Sequence, residues 1–175
     1  MSENTWKKLL SSENSVLAKI PPLVLCGLII RYCMKLKSEM KQMCDMELRM
    51  LVVKQLMGVI GGLYCVDFIS GIVHITFDHF IDQTKTKNSF LSKALMNQDH
   101  HADPKAILDS TVYELYLQNA LMTPLPIAAS VYHTINDSPS EYLLANIVFY
   151  IAGLSAQIVH RETHNYNHNK GDGTL

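Results

Sequence analysis

Residues 50–80 read MLVVKQLMGVIGGLYCVDFISGIVHITFDHF. Ionisable side chains are sparse in this apolar segment and include Lys54, Asp67, His74 and Asp78. A helix that crosses a bilayer needs about 20 mostly apolar residues, so this segment is long enough to span a membrane and extend beyond it. Its polar C-terminal end is therefore predicted to project from the membrane.

Three further apolar segments cover residues 16–34, 111–135 and 141–159. Pro124 and Pro126 interrupt the second of these, and Asn-Asp-Ser-Pro-Ser at 136–140 predicts a tight turn before the third. The pattern predicts an all-α fold, a multi-span membrane bundle of about four apolar helices.

Length and charge indicate one domain and exclude some partners. The 175 residues are enough for one core, which we assign to residues 16–168 between polar tails at 1–15 and 169–175. The net charge of -1 does not favour nucleic acid. The four cysteines form no C-x-x-C pair, so we expect free thiols and no cysteine-type zinc site.

The first candidate cluster lies at the end of the 50–80 segment. Asp67, Ser70, Gly71, His74 and Asp78 are spaced to lie on one face of a helix. Ionisable groups in apolar spans usually face the bundle interior. Asp67 would then orient a metal-bound imidazole from outside the coordination sphere. The alternative is a hydrogen-bonded interior aspartate with a histidine reaching the membrane surface.

The second cluster is the polar sequence His100-His101-Ala102-Asp103-Pro104. Adjacent histidines on a helix point about 100° apart. The pair could therefore bind two metal ions, or one histidine could bind a metal ion while the other lies just outside its coordination sphere. Two solvated histidines are the alternative. A soluble phosphoesterase is disfavoured, because the flanking chain lacks alternating strands and helices.

The third cluster follows the last apolar segment. His160 and His164 are four positions apart, so on a helix both imidazoles can chelate one ion. Glu162 sits one position too late for the metalloprotease pattern H-E-x-x-H. If the helix continues, His168 extends the same stripe by one turn.

A four-span topology sorts these clusters onto one membrane face. Spans two and four would exit together with the first and third clusters, and the loop with the second cluster would join spans two and three there. His133 would lie at the opposite face. One feature opposes this topology, because the loop after span one would face away from the cytosol. That loop carries Lys35, Lys37, Lys41 and Arg49.

Imidazoles with a carboxylate and no thiolate suit iron or zinc. More than four candidate ligands on three segments favour two metals over one tetrahedral zinc. Two irons beside a bilayer would suit the activation of dioxygen and removal of hydrogen from a lipid C–H bond.

Taken together, the three motifs resemble the Kua family, over residues 55–168 approximately. The matching residues are Asp67-Phe-Ile-Ser-Gly-Ile-Val-His74-x-x-x-Asp78, His100-His101-x-Asp103-Pro104 and Gln157-x-x-His160-x-x-x-His164. The family comprises the plasmanylethanolamine desaturases, with bacterial CarF proteins and a plant plastid phosphatidylglycerol desaturase as relatives.

The resemblance implies an integral membrane di-iron desaturase of the endoplasmic reticulum, with its metal site facing the cytosol. Such enzymes use dioxygen and electrons from a cytochrome b5-type donor to convert a plasmanyl ether phospholipid into the vinyl ether of a plasmalogen. By resemblance, the metal ligands or essential neighbours are His74, Asp78, His100, His101, His160 and His164.

Two other interpretations remain open at the level of sequence. Family members continue to a further cluster of H-x-x-H-H type, for which His168 or His79 would have to substitute here. This difference favours a catalytically inactive or truncated member that acts as a membrane-bound partner or regulator. The second interpretation is a helical zinc protein whose apolar segments form a soluble core.

Overall fold

A computed structural model describes residues 16–41, 43–80 and 123–169, together with positions 108 and 115. The helices with defined bounds are α1 (Val16–Met40), α2 (Asp45–Phe80), α3 (Pro124–Ile135) and α4 (Ser140–Asn169). No residue within these ranges is in a β-strand. The predicted all-α class is confirmed for this part of the chain.

The chain divides into two compact units. We call one the helical unit; it contains Val16–Ser70 and Met122–Gly153. The other, the histidine unit, contains Met1–Ser15, Gly71–Leu121 and Leu154–Leu175. Helices α2 and α4 therefore each contribute their first part to the helical unit and their last part to the histidine unit.

The turn between α3 and α4 confirms the prediction from Asn-Asp-Ser-Pro-Ser. Ser138 N–H donates to His133 O at 2.9 Å and Asp137 N–H to Thr134 O at 3.3 Å, the hydrogen bonds of a Schellman motif. Asp137 occupies the left-handed position with φ of 45°, which aspartate tolerates better than most residues.

An ion pair holds this turn against α1. Lys35 Nζ donates to Asp137 Oδ1 at 2.8 Å. This hydrogen bond lowers the pKa of the Asp137 carboxyl below its ordinary value of 3.8. The contribution of the pair to stability is therefore present above that value and is lost as the pH falls through the lowered pKa.

A polar network joins α1, α2 and the start of α4. Glu39 accepts from both the backbone N–H, at 2.9 Å, and the hydroxyl of Ser140. Gln55 donates to Ser140 Oγ at 2.8 Å and accepts from the Tyr32 hydroxyl at 3.2 Å. Ser140 is fully buried, so these bonds satisfy a helix N-terminus that water does not reach.

Helices α2 and α4 pack in parallel along what we call the glycine seam. A Cβ atom built on Gly58 would lie 2.6 Å from Glu141 O, and one built on Gly62 would lie 2.5 Å from Ala145 O. Further along, the distance from a Cβ on Gly153 to Val66 Cγ2 would be 3.7 Å. The residues of the first pair are 83 positions apart (141 minus 58), and those of the last are 87 apart (153 minus 66). Partner numbers rise together, so the two helices run in the same direction, as the four-span topology requires.

Helix α3 packs antiparallel to α4. Asn146 Nδ2 donates to Pro126 O at 2.9 Å, and the Thr123 and Tyr150 hydroxyls are 2.9 Å apart. Thr123, Asn146 and Tyr150 are all buried. These bonds satisfy polar groups that would otherwise be costly in an apolar environment.

Replacing Tyr150 by phenylalanine is expected to lower the free energy of unfolding by about 1 kcal/mol, because it leaves the buried Thr123 hydroxyl without its partner. Chemical or thermal unfolding in detergent would measure the change. The variant in which Thr123→Val accompanies Tyr150→Phe removes both polar groups, and the two single effects should then be less than additive. Full additivity would contradict a direct bond between the hydroxyls.

The outer surface of α2 is strongly apolar. Each of the following side chains is at least half exposed: Val52, Val53, Leu56, Met57, Ile60 and Leu63. Within the described residues, Asp45–Ile72 is by itself long and apolar enough to cross a membrane, and Ser140–Ala156 with Ile158–Tyr166 meets the same criterion as a bent pair. An apolar surface of this extent suits contact with lipid rather than the core of a soluble protein. The count of four spans remains a prediction.

All four cysteines, Cys26, Cys33, Cys44 and Cys65, are free and exposed. The expectation of free thiols is confirmed. Cys44 immediately precedes α2, where its backbone N–H donates to Glu47 Oε2 at 2.8 Å, the arrangement of one half of a capping box.

Candidate metal centre

The part of α4 in the histidine unit carries the predicted imidazole pair. Helix α4 continues to Asn169, so His160 and His164 lie one turn apart and the condition for His168 to share their helix is met. Both imidazoles are half-buried. Their Nε2 atoms are 3.2 Å apart, and the ring planes are nearly perpendicular, at 87° with centroids 4.6 Å apart.

This spacing fits two ligands of one metal ion. For an ion about 2.1 Å from each nitrogen, two nitrogens 3.2 Å apart give an N–metal–N angle of about 100°. This angle lies between the octahedral and tetrahedral values. Imidazole nitrogen is a good ligand for iron and for zinc. The distance is therefore compatible with both imidazoles as ligands of a single ion, in place of the hydrogen bond that now joins the two Nε2 atoms.

The pair is not joined by a third ligand among the side chains that the structure describes, where no group of three or more metal-binding residues occurs. His74 and Asp78 lie on α2 within the histidine unit, but their side chains are outside the described residues. The side chain of His168 and all of His100, His101 and Asp103 are also outside them.

Two residues discussed above lie in the helical unit. Asp67 is on α2 and is exposed. His133 is near the end of α3, stacked on Tyr142 at a centroid distance of 5.6 Å and edge-on to Tyr132 at 5.5 Å. His133 belongs to the helical unit, whereas His160 and His164 belong to the histidine unit; its place at the opposite membrane face stays a prediction.

Between the two imidazoles, the structure shows a feature that sequence reasoning missed. Arg161 Nη1 donates to Glu162 Oε1 at 3.2 Å, and Asn165 Nδ2 donates to Glu162 Oε2 at 3.4 Å. Glu162 is thus engaged with its own neighbours on α4. The Nε–H of Arg161 is buried and donates to no acceptor within the described part of the chain. The sequence signal for this feature was the position of Arg161 between His160 and His164.

Residues 63–173 match the family model of the lipid desaturase domain. The chain belongs to this family. The matched range begins within α2, includes all three histidine motifs and agrees with the resemblance over residues 55–168. The chain has no significant match among curated proteins or among solved structures.

Membership defines the chemistry in general terms. A lipid desaturase domain implies an oxidoreductase that acts on a lipid, and the family is generally iron-dependent. The chelating geometry of His160 and His164 is compatible with iron. The exposed apolar surface of α2 agrees with a membrane location.

Proposed function

We propose that this protein is a membrane di-iron desaturase that converts the alkyl ether chain of a plasmanyl lipid into the vinyl ether of a plasmalogen. The observation that carries the proposal is the pair of Nε2 atoms 3.2 Å apart on α4, within a lipid desaturase domain. The choice of an ether lipid rests on the resemblance of the motifs to plasmanylethanolamine desaturases.

The proposed ligands come from all three histidine motifs. They are His74, Asp78, His100, His101, His160 and His164. Asp67 and Asp103 would lie outside the coordination sphere of the metal and accept hydrogen bonds that orient the imidazoles. His168 is an additional candidate ligand on the stripe that His160 and His164 begin.

The parallel packing of α2 and α4 supports a shared site. Along the glycine seam, residues in contact are 83 to 87 positions apart in sequence. If the same separation were kept past the 44° bend of α4 between Ala156 and Ile158, His74 would be level with residues 157–161 and Asp78 with residues 161–165. Those two ranges contain His160 and His164, so this register would bring the first and third motifs together.

The overall reaction needs an external source of electrons. Forming the vinyl ether removes one hydrogen from each of two adjacent carbons of the alkyl chain. These two hydrogens, with two electrons and two protons from a reductant, reduce one dioxygen to two waters. Bound iron would supply the activation of dioxygen. The chain's own imidazoles would hold the metal, and they must be neutral to do so.

A cytochrome b5-type protein is the proposed electron donor. The proposed location is the membrane of the endoplasmic reticulum, with the metal site facing the cytosol. The exposed apolar surface of α2 supports membrane insertion, and a site beside the bilayer would receive its lipid without removing the chain from the membrane.

Expression in cells that lack plasmalogens but contain plasmanyl lipids is the decisive test. We expect vinyl-ether lipid to appear, and we expect the full chain purified in detergent to contain about two irons, from the number of proposed ligands. A matched control is the chain with both His100→Ala and His101→Ala, which should fold and yield no vinyl ether.

Two outcomes would reject the proposal. Absence of vinyl ether in the presence of substrate and reductase would contradict the proposed enzymatic function. If iron were also absent, and the double substitution had no consequence in cells, the result would favour the membrane-bound partner or regulator.

A further inference from the structure

Helix α2 carries an exposed apolar stripe that runs alongside the first histidine motif. Its four members are spaced by four, four and three positions, so they lie on one face of the helix. We call them the α2 stripe; they are Tyr64, Phe68, Ile72 and Ile75. All except Ile72 are more than half exposed, and Ile72 is 46% exposed. The α2 stripe therefore offers a continuous apolar surface to a ligand.

Gly71 lies between the α2 stripe and the first histidine motif. Three residues of an α-helix turn about 300°, which is about 60° short of a full turn. The helix position of Gly71 is therefore midway between those of Phe68 and His74. A Cβ built on Gly71 would have no heavy atom of the described chain within 4 Å outside its own helical surroundings. The helix thus has open space where the apolar stripe meets the motif.

The family match separates the α2 stripe from the rest of the exposed surface of α2. The match begins at residue 63 and so includes the whole stripe. The exposed apolar residues that precede the match include Val52, Val53, Leu56, Met57 and Ile60. Contact with bulk lipid accounts for an apolar surface at any level of a span. The α2 stripe differs because it belongs to the desaturase domain and adjoins its first motif.

The alkyl chain of an ether phospholipid fits the direction and the length of the α2 stripe. The double bond of a vinyl ether adjoins the ether oxygen, so the carbons that lose hydrogen are the two nearest to glycerol. They lie near the membrane surface, and the rest of the chain extends towards the bilayer centre. Tyr64 and Ile75 are 11 positions apart (75 minus 64), about 16 Å along a helix. One leaflet is about 15 Å deep, half of a hydrocarbon core about 30 Å thick.

The α2 stripe would position a chain rather than attract it. Lipid tails are as apolar as these side chains, so the hydrophobic effect does not drive their contact inside a bilayer. Close packing remains as the source of selectivity, and small residues allow the closest approach to a helix backbone. Gly71 is the small residue at the level of His74. A chain that enters this space brings its first carbons next to the motif.

We propose that the α2 stripe is the docking surface for the alkyl chain of the phospholipid substrate, with the reacting carbons at Gly71 and the far part of the chain at Tyr64. This inference rests on the proposed function. Phe68, Ile72 and Ile75 are positioning residues, and the missing side chain of Gly71 admits the carbons nearest to glycerol. An ester-linked chain fits less well, because its carbonyl oxygen would lie beside apolar Ile72 and Ile75 without a donor from them.

Photolabelling of the full chain in nanodiscs tests the docking surface. The probe is an alkyl-acyl glycerophospholipid that carries a diazirine in the middle of its alkyl chain. Labelled residues are identified by mass spectrometry. Val53 is the internal reference, because it lies eight positions after the start of the Asp45–Ile72 span (53 minus 45) and Tyr64 lies eight before its end (72 minus 64). We expect labelling at Tyr64 and Phe68, relative to Val53, to be severalfold higher than with a diacyl probe.

Gly71→Leu should displace the chain, because leucine would fill the open space beside the stripe. The labelling of Tyr64 and Phe68 relative to Val53 should then fall severalfold. In active protein, vinyl-ether formation should fall by about 100-fold at unchanged iron content, since a misplacement of about 1 Å can cost that much. Phe68→Ala, which adds no atoms, should change the labelling in the same direction and covers the case in which Gly71→Leu does not fold.

Gly61→Leu is the matched control. It adds the same atoms to α2 at a glycine whose Cβ would also have no heavy atom within 4 Å outside its own helical surroundings. Residue 61 precedes both the α2 stripe and the family match, so labelling and vinyl-ether formation should stay unchanged. Equal losses in Gly61→Leu and Gly71→Leu would overturn the proposal.

Further outcomes separate the docking surface from the proposed reaction. If Gly71→Leu keeps the labelling pattern and the activity of the native chain, docking fails while the proposed reaction stands. If the native chain forms no vinyl ether but shows the expected labelling and loses it in Gly71→Leu, the reaction fails while docking stands. Equal ratios for the ether and diacyl probes mean that the stripe contacts any lipid, and the proposal is overturned. It is also overturned if labelling is lost when each nanodisc holds two chains, because a second copy then covers the stripe.

Discussion

Alanine in place of His160 or His164 is expected to remove bound iron and to lower vinyl-ether formation by more than about 100-fold. The two Nε2 atoms are 3.2 Å apart and would share one ion, so loss of either leaves an incomplete chelate. Even residues that only orient metal ligands are worth about 10- to 100-fold in affinity or activity, and loss of a ligand should exceed that. Metal analysis of purified protein and lipid analysis of expressing cells would measure both effects.

His133→Ala provides the control for this prediction. His133 belongs to the helical unit and stacks on Tyr142, so its removal should leave the iron content unchanged. Circular dichroism would verify that all three variants retain their helices. Full iron content and activity in both His160→Ala and His164→Ala would show that the pair does not hold the metal.

Gly62→Ala is expected to destabilise the helical unit by about 1–3 kcal/mol, the usual cost of overpacking. The added Cβ would lie 2.5 Å from Ala145 O and 2.9 Å from Val148 Cβ. The oxygen belongs to the backbone, so α2 and α4 would have to separate. Because the same two helices carry proposed ligands further along, we also expect reduced iron content. Unfolding in detergent and metal analysis would measure these two effects.

The adjacent glycine offers a sharp comparison. A Cβ on Gly61 has no heavy atom within 4 Å outside its own helical surroundings. Gly61→Ala should therefore be neutral or stabilising by up to about 1 kcal/mol, because alanine favours a helix more than glycine does. Equal destabilisation by Gly61→Ala and Gly62→Ala would contradict the glycine seam.

Local sequence patterns predicted part of the helical structure and one turn. The Asn-Asp-Ser-Pro-Ser sequence predicted the turn that separates α3 from α4, and the long apolar segments predicted α2 and α4. Helix α1 extends to Met40, past the predicted apolar boundary at residue 34. Apolar content alone did not reveal this extension, because its final turn is polar and Glu39 is held by Ser140.

The sequence was less informative about relations between helices. Nothing in the local sequence separates Gly58 and Gly62, which approach α4 closely, from Gly61, which does not. Likewise, the spacing of His160 and His164 predicted their proximity. The environment of Arg161 depends on which surroundings exclude water from its Nε atom, and no spacing rule contains that information.

The positions of the four cysteines allow the orientation of the native chain in a membrane to be measured. Cys44 lies in the short link before α2, whereas Cys26 and Cys33 are on α1 and Cys65 is on α2. In sealed vesicles, a maleimide that cannot cross lipid would reach the link from one compartment only, while thiols on lipid-covered helix surfaces would be shielded from it. The side on which Cys44 reacts thus assigns the α1–α2 link to one compartment without any engineered tag.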